Sequence, residues 1–439
     1  MPPSLTISTG WESLDSGSPE ESACFASIGI QAQGIWLTEG RDAFANRLRQ
    51  APLLSAYHLA EWFAWNWWRL RWEPRSRVED WEMVHRLSSI GAGYVWPNIT
   101  IFSDGERTAL IAKPTAERVE TRFRYISDFA AVIPAVDFEA EIDRFIDEVL
   151  QRLEAEAVEG TNLHKVWKDV KAERSSPDEA RRRKLEALLG YDADEASPNA
   201  INELMQDAEQ LGRSSIEEVA AERGQSGGII TAAEIREIAN RSGYEGSPRS
   251  VVQLEQTYTP PRRGDVPAWR VGSNAAKALR AQLRFGAAPI SNRKLAELGA
   301  IQDRAIEERT RGPAFSFALD QSINSSRIVF RSKWEAGRRF EFARILGDRI
   351  MNRGAIKLFP ATRAYTYRQK AQRSFAAEFL SPFEAVDEML AGDYSDENQL
   401  DVVEHFQVSE ITIRTLLVNH GRINRETLDD ELETETAVA

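Results

Sequence analysis

The stretch GRRFEFARILGDRIM (337–351) predicts one long helix that begins near Glu335. Along it Glu341, Arg344 and Asp348 follow at spacings of three and four, so the three share a face and read as an acid–base–acid ion-pair ladder. Upstream, alternating runs at 315–319 and 327–331 predict two short strands, preceded by helices near 270–285 and 291–298. Downstream, a helix is expected over 368–380, and Ser381-Pro382-Phe383-Glu384 opens the next. A last helix pair turns tightly at 407–409. Val402, Val403 and Phe406 precede that turn, Ser409 can cap, and Ile411, Ile413, Leu416 and Leu417 repack behind it.

Between 243 and 267, Pro248, Pro260, Pro261 and several Gly mark a linker, placed at 247–266. The preceding region, 159–246, is helical and well punctuated. Ser176-Pro177-Asp178-Glu179 is a capping box with Pro at the first helical position, and Gly190 is its stop. Ser197-Pro198 opens another helix that Gly212 ends; Ser215…Glu218 and Thr231…Glu234 repeat the capping spacing. Residues 1–158 read as a mixed α/β domain. Strands are expected within 5–38 and 119–126, with a hairpin turn at Asp104-Gly105 between 98 and 113. A helix is expected near 53–72. Another starts at Asp137 with Phe138, Ile142, Phe145, Val149 and Leu153 on one face.

Length and composition agree with this division. A chain of 439 residues, 42% hydrophobic, holds about three domains of ordinary size. The single cysteine, Cys24, excludes an internal disulfide and any Cys-based zinc or iron–sulfur site, and suits a reducing cytoplasm. The longest apolar runs fall well short of the roughly 20 residues of a membrane span, and MPPSLTISTG lacks the pattern of a signal peptide. Seven of the twelve Trp lie between Trp62 and Trp96. A helix apolar on most sides is a buried one, so core packing is preferred over a stacking platform for bases helped by Arg69 and Arg71. His58 and His85 are isolated and read as packing or hydrogen-bonding residues. The acidic stretch 426–439 is expected to be a disordered tail.

GRRFEFARILGDRIM (337–351), QRSFAAEFLSPFEAV (372–386) and VVEHFQVSEITIRTLLVNHG (402–421) together resemble, in order and spacing, the ImmA/IrrE family, also described as IrrE N-terminal-like domains. SNAAKALRAQL (273–283) and PISNRKLAELGAI (289–301) suit the start of such a domain. The likeness covers 267–425 and none of the first 245 residues. It implies a zincin-like, mostly helical domain with a small sheet. It also implies descent from zinc metallopeptidases that cleave repressors in phage, mobile-element and stress-response systems.

In that family the RRF run leads into a helix carrying HExxH, whose two His bind zinc while the Glu activates the zinc-bound water. Here Arg344, Ile345 and Asp348 stand at those positions, and RQKAQRS (368–374), where a third ligand is expected, has no carboxylate. A fixed cation at Arg344 repels a dication. The copy is therefore degenerate: no catalytic residue, no metal ligand and no zinc are expected. In place of the ligands, residues 327–373 carry 13 Arg or Lys against three acids. Arg338, Arg339, Arg349, Arg353, Arg368, Lys370 and Arg373 are candidates for binding an anionic partner. The alternative is that these cations are salt-bridged within the molecule, with the nine acids of 137–160 as one source of countercharge.

The expectation is an α+β chain made of a Trp-rich domain (1–158), a helical region (159–246), a linker and an ImmA/IrrE-like domain (267–425). Its function would be non-catalytic, a cytoplasmic regulatory or interaction protein with a protein partner and no membrane. An active metallo-endopeptidase with unusual ligands, or a nucleic-acid-binding regulator acting through 327–373 or the terminal helix pair, are the alternatives.

Overall fold

Alternating burial along Leu5–Trp11 (β1) explains why this polar-looking segment is a strand: Leu5 and Ile7 point inward while Ser8 is exposed. The computed structural model describes residues 3–76, 80–117, 121–226, 230–255, 261–352 and 356–424. Arg353 and the acidic tail thus lie outside the described residues. The fold is mixed α and β, with small antiparallel sheets. The chain divides into two compact units, one of Met1–Asn202, Ala220–Gly227 and Ala364–Thr366, the other of Glu203–Val219, Gly228–Arg363 and Tyr367–Ala439.

In the first unit, helix α1 (Pro19–Ala23) starts where Ser18 Oγ accepts from the Glu21 N–H. It leads into Phe25–Ala32 (β2), which pairs antiparallel with β1 from Leu5↔Ala32 to Trp11↔Ala26. Ile35–Trp36 (β3) and Leu53–Ser55 (β6) also pair with β2. Gly40–Asp42 (β4) and Arg47–Arg49 (β5) form a hairpin between them. The single helix expected near 53–72 is instead β6 followed by two helices, α2 (Ala56–Trp65) and α3 (Trp67–Trp72). The break is at Asn66, whose side-chain amide donates to the Trp62 carbonyl and so competes with the helix backbone. A short α4 (Trp81–His85) follows.

Ile99–Ser103 (β7) and Arg107–Ala112 (β8) form the hairpin expected around Asp104-Gly105. Asp104 Oδ1 accepts from the Glu106 and Arg107 N–H groups, and Gly105 takes φ +100°, a conformation that favours glycine. Phe123–Tyr125 (β9) pairs with β4, and Phe129–Pro134 (β10) with β8. Helix α5 (Ala135–Ala155) buries Phe138, Ile142, Phe145, Val149 and Leu153, the face read from its periodicity. Trp62, Trp67, Trp68 and Trp96 join the same core, so packing claims most of the Trp cluster; Trp65 is exposed. Helices α6 (Asn162–Ser175) and α7 (Pro177–Leu188) contribute Leu163, Trp167, Val170 and Ala187 to it.

The helical region 159–246 is therefore divided between the units. Helix α8 (Pro198–Leu211) leads from one to the other, and α9 (Arg213–Ser226) follows. Ser215 does not cap that helix; its hydroxyl donates to the Leu358 carbonyl at 2.5 Å. Thr231 does form the expected capping box with Glu234, at the start of α10 (Ala232–Ser242).

The second unit carries the sheet β11-β13-β12-β14, in which Tyr244–Gly246 (β11), Ser316–Ser322 (β12), Ser325–Val329 (β13) and Leu358–Ala361 (β14) pair antiparallel. Its helices are α11 (Ala268–Gln282), α12 (Asn292–Leu298), α13 (Arg304–Glu307), α14 (Glu335–Met351), α15 (Tyr367–Leu380), α16 (Phe383–Leu390), α17 (Asp396–Phe406) and α18 (Glu410–Asn419). Val251 and Leu254, expected in a linker, are buried in this unit's core, because apolar side chains among the prolines find a surface to pack on. Helices α11 and α14 both close on α15. A Cβ on Gly272 would come within 2.1 Å of the Ala371 carbonyl, and one on Gly347 within 2.4 Å of the Phe375 ring. The terminal pair α17–α18 buries Val402, Phe406, Ile413, Leu416 and Leu417, with Gln407 left-handed at the turn (φ +54°).

Candidate functional site

Helix α14 presents Arg344 and Asp348 one turn apart toward α15, and both are buried. The expected ladder gives way to other partners. Arg368, on α15, grips Asp348 with two parallel bonds, Nε to Oδ1 at 2.8 Å and Nη2 to Oδ2 at 2.6 Å. Asn352 donates to the same carboxylate at 2.6 Å. Arg344 donates to the Thr362 carbonyl at 2.5 Å and to Gln369 Oε1 at 2.6 Å. Glu341 accepts from Ser316 Oγ and the Ser332 N–H, and pairs with Arg331 at 3.3 Å. Ile345 is a buried core residue. Burial pulls the Arg368 guanidinium down, but the charge and hydrogen bonds of Asp348 outweigh it and hold Arg368 above its ordinary value.

The cations expected to form an anion-binding patch are mostly inside. Arg338, 1% exposed, donates to the carbonyls of Ser332, Ala305 and Thr310, to the Thr310 hydroxyl and to Tyr244. Arg339, 0% exposed, donates to Gln407 O, Ile290 O and Asn292 Oδ1, and burial lowers its pKa. Arg349 bonds Asp320 and Ser326. Lys370 and Arg373 are half-buried, with Arg373 reaching the Thr362 carbonyl. Of the two readings of the basic stretch, internal partners hold for the anion-binding candidates Arg338, Arg339, Arg349 and Arg368, and for Arg344 beside them. Their long stems pack in the core, and their heads find carbonyl, hydroxyl or carboxylate oxygens there. The acids of 137–160 find partners of their own in the first unit: Glu139 with Arg71, Asp143 with Arg174, Asp147 with Lys171, Glu141 and Glu148 with Arg144.

A cavity of about 350 Å³ lies at the C-terminal end of α14, bordered by Val251, Asp320, Arg349, Asn352, Ile356 and Phe359. Its two charged groups, Arg349 and Asp320, are paired with each other. A further buried acid, Glu378, is missing from the sequence candidates; a lone carboxylate inside the apolar run FAAEFL is the signal that could have found it. Glu378 is 1% exposed, and its neighbours are distant: Ser273 Oγ at 3.4 Å, the Phe383 N–H at 3.4 Å and Lys277 Nζ at 3.9 Å. Lys277 instead lies 2.5 Å from Glu384. Burial pushes the Glu378 carboxyl up to about 7.

The histidines are dispersed. His85 is fully buried, with Nδ1 2.7 Å from Ile101 O and Nε2 2.9 Å from Glu73, and it stacks on Trp81. His420 stacks on Phe383 with ring centroids 3.6 Å apart. Among the described residues, no cluster of three His, Cys, Asp or Glu side chains could hold a metal ion, and no helix is long and apolar enough to cross a membrane. The pair of side chains one turn apart on α14 does not fit zinc: the Asp348 carboxylate is engaged by the Arg368 guanidinium, and Arg344 is itself a cation that donates to Thr362 O and Gln369 Oε1. Comparison with known protein families, curated proteins and solved structures returns no match.

Proposed function

We propose that the second unit is a degenerate ImmA/IrrE-like, zincin-like scaffold that recognises a partner and cleaves nothing. The supporting observation is the Asp348–Arg368 pair. It takes the carboxylate nearest to a ligand position and surrounds it with positive charge, where a zinc peptidase needs about three anionic or neutral donors and an open coordination position. Ile345, at the position of the family's general base, has no group that could activate water. The reading is of a regulatory or interaction protein, acting in the cytoplasm of a bacterium in a stress-response, toxin–antitoxin or phage-defence setting, through binding to another protein.

Metal analysis of the purified chain, together with a chelator-sensitive proteolysis assay, tests this. The expected result is substoichiometric zinc and no chelator-dependent cleavage. Stoichiometric zinc, with proteolysis lost in Asp348→Ala, would overturn the proposal in favour of a peptidase with unusual ligands. Nucleic-acid binding through 327–373 is disfavoured by the burial of Arg338, Arg339, Arg344 and Arg368. It predicts salt-sensitive binding, weakened by Arg339→Glu.

A further inference from the structure

The small sheet β5-β4-β9 of the first unit has one covered face and one open face. On the covered face Tyr125 is buried and donates to the Val95 carbonyl at 2.7 Å, while the Phe123 ring lies over Gly40. Alternation puts Arg41, Leu48 and Arg124 on the other face, in one row across the three strands. Arg122 and Ile126 belong to the same face, with Glu39 as its one carboxylate among the described residues. Leu48 is 62% exposed and Ile126 46%. Arg41 bonds only the neutral Asn46 amide oxygen, and neither Arg41 nor Arg122 has a carboxylate partner among the described residues.

The β4–β5 turn adds a fixed apolar anchor. Asp42 Oδ1 accepts from the N–H groups of Phe44 at 3.0 Å and Ala45 at 2.9 Å, and Asn46 is left-handed at φ +45°. Phe44, at the tip of this bonded turn, is 95% exposed. An aromatic ring held in water on an ordered turn has already lost much of the backbone entropy that binding would cost.

The register shows what lies along the edge. Ala43 N–H donates to Arg122 O and Ile126 N–H to Glu39 O, so the residues between them alternate in the direction of their amides. Arg41 turns its backbone to Arg124, while Gly40 and Asp42 turn theirs to Arg49 and Arg47. Leu48 is left with its N–H and C=O directed outward from β5, the end strand in the sheet order.

We propose that this open face and the edge of β5 receive an extended acidic segment of a protein partner, which adds a strand beside β5. Its alternate side chains set apolar groups against Leu48 and Phe44 and carboxylates against Arg41 and Arg122. The outward backbone pair at Leu48 favours a peptide over a lipid surface, because only a peptide backbone returns both a donor and an acceptor.

The test uses the full-length chain and fluorescence anisotropy. The probes are a short labelled peptide alternating glutamate with valine and phenylalanine, its lysine counterpart, and phosphatidylserine vesicles. The glutamate peptide is expected to bind saturably and more weakly at higher salt. Phe44→Ala and Arg122→Glu, both at exposed side chains, should each weaken it roughly tenfold or more. N-methylation of alternate peptide amides should abolish binding by removing the added strand. Equal binding of the lysine peptide, or no binding of the glutamate peptide, would overturn the proposal. So would vesicle binding that depends on Phe44 without any binding of the glutamate peptide, an outcome that assigns the surface to lipid.

Discussion

Asp348 and Arg368 lie on different helices, and removing either member leaves the other charge buried without its partner. Asp348→Ala should therefore cost about 3–5 kcal/mol, whereas Asp348→Leu with Arg368→Met should be close to neutral, because a buried pair gains little over a well-packed apolar one. Urea melts of the two variants against wild type check both outcomes. Glu378 gives a prediction of different form. Its folded-state pKa, near 7, stands above the ordinary carboxylate value of 4.5, so the folded chain holds this proton more tightly than the unfolded chain does. Stability from this group is fully present below about pH 4.5 and is lost as pH rises toward 7, by about 3 kcal/mol. Glu378→Gln keeps the neutral form at every pH, so its urea midpoint should fall less than wild type between pH 5 and pH 8 (roughly the window the two pKa values set). Equal pH slopes for the two proteins would refute the assignment.

Among elements, what could be read from sequence depended on where the partners lie. Helix α14 was legible to the residue, because its spacing and its punctuation are local. The placement of its arginines was not. Arg338 meets Ala305, Thr310 and Tyr244, between 28 and 94 positions away in sequence, and a local charge count contains no information about such acceptors. The same reason hid β11 and β14, three- and four-residue strands whose existence depends on pairing with β13 and β12. The helix contacts make their own prediction. Because Gly272 lies against the Ala371 carbonyl and the Phe375 N–H, Gly272→Ala must push α11 off α15 despite the better helix propensity of Ala. The expected loss is about 1–3 kcal/mol, read as a lower thermal midpoint. Thr231→Ala, which removes one half of a closed capping box, should cost about 1 kcal/mol.

At the scale of the molecule, the chain does not pass through its two units in simple succession. It enters the second at Glu203, returns to the first for Ala220–Gly227, and goes back again. The second unit's sheet takes its edge strand from Tyr244–Gly246, and its core takes Val251 and Leu254, all of them upstream of residue 267. Leu211 O accepts from the Lys357 N–H and Ser215 Oγ bonds Leu358 O, so α8 and α9 also tie down the approach to β14. A fragment that begins at residue 267, the boundary expected from the sequence, would expose the outer edge of β13 and open the apolar core beneath Val251. A fragment beginning at residue 197, which keeps the Ser197 carbonyl that accepts from Ile201 in the first turn of α8, retains every one of these contacts. The longer fragment should melt in a single cooperative transition, and the shorter one should show a broadened transition and bind a hydrophobic dye. Equal cooperativity in circular dichroism melts of the two would mean that the residues before 267 only decorate the second unit. The present contacts make them part of its core.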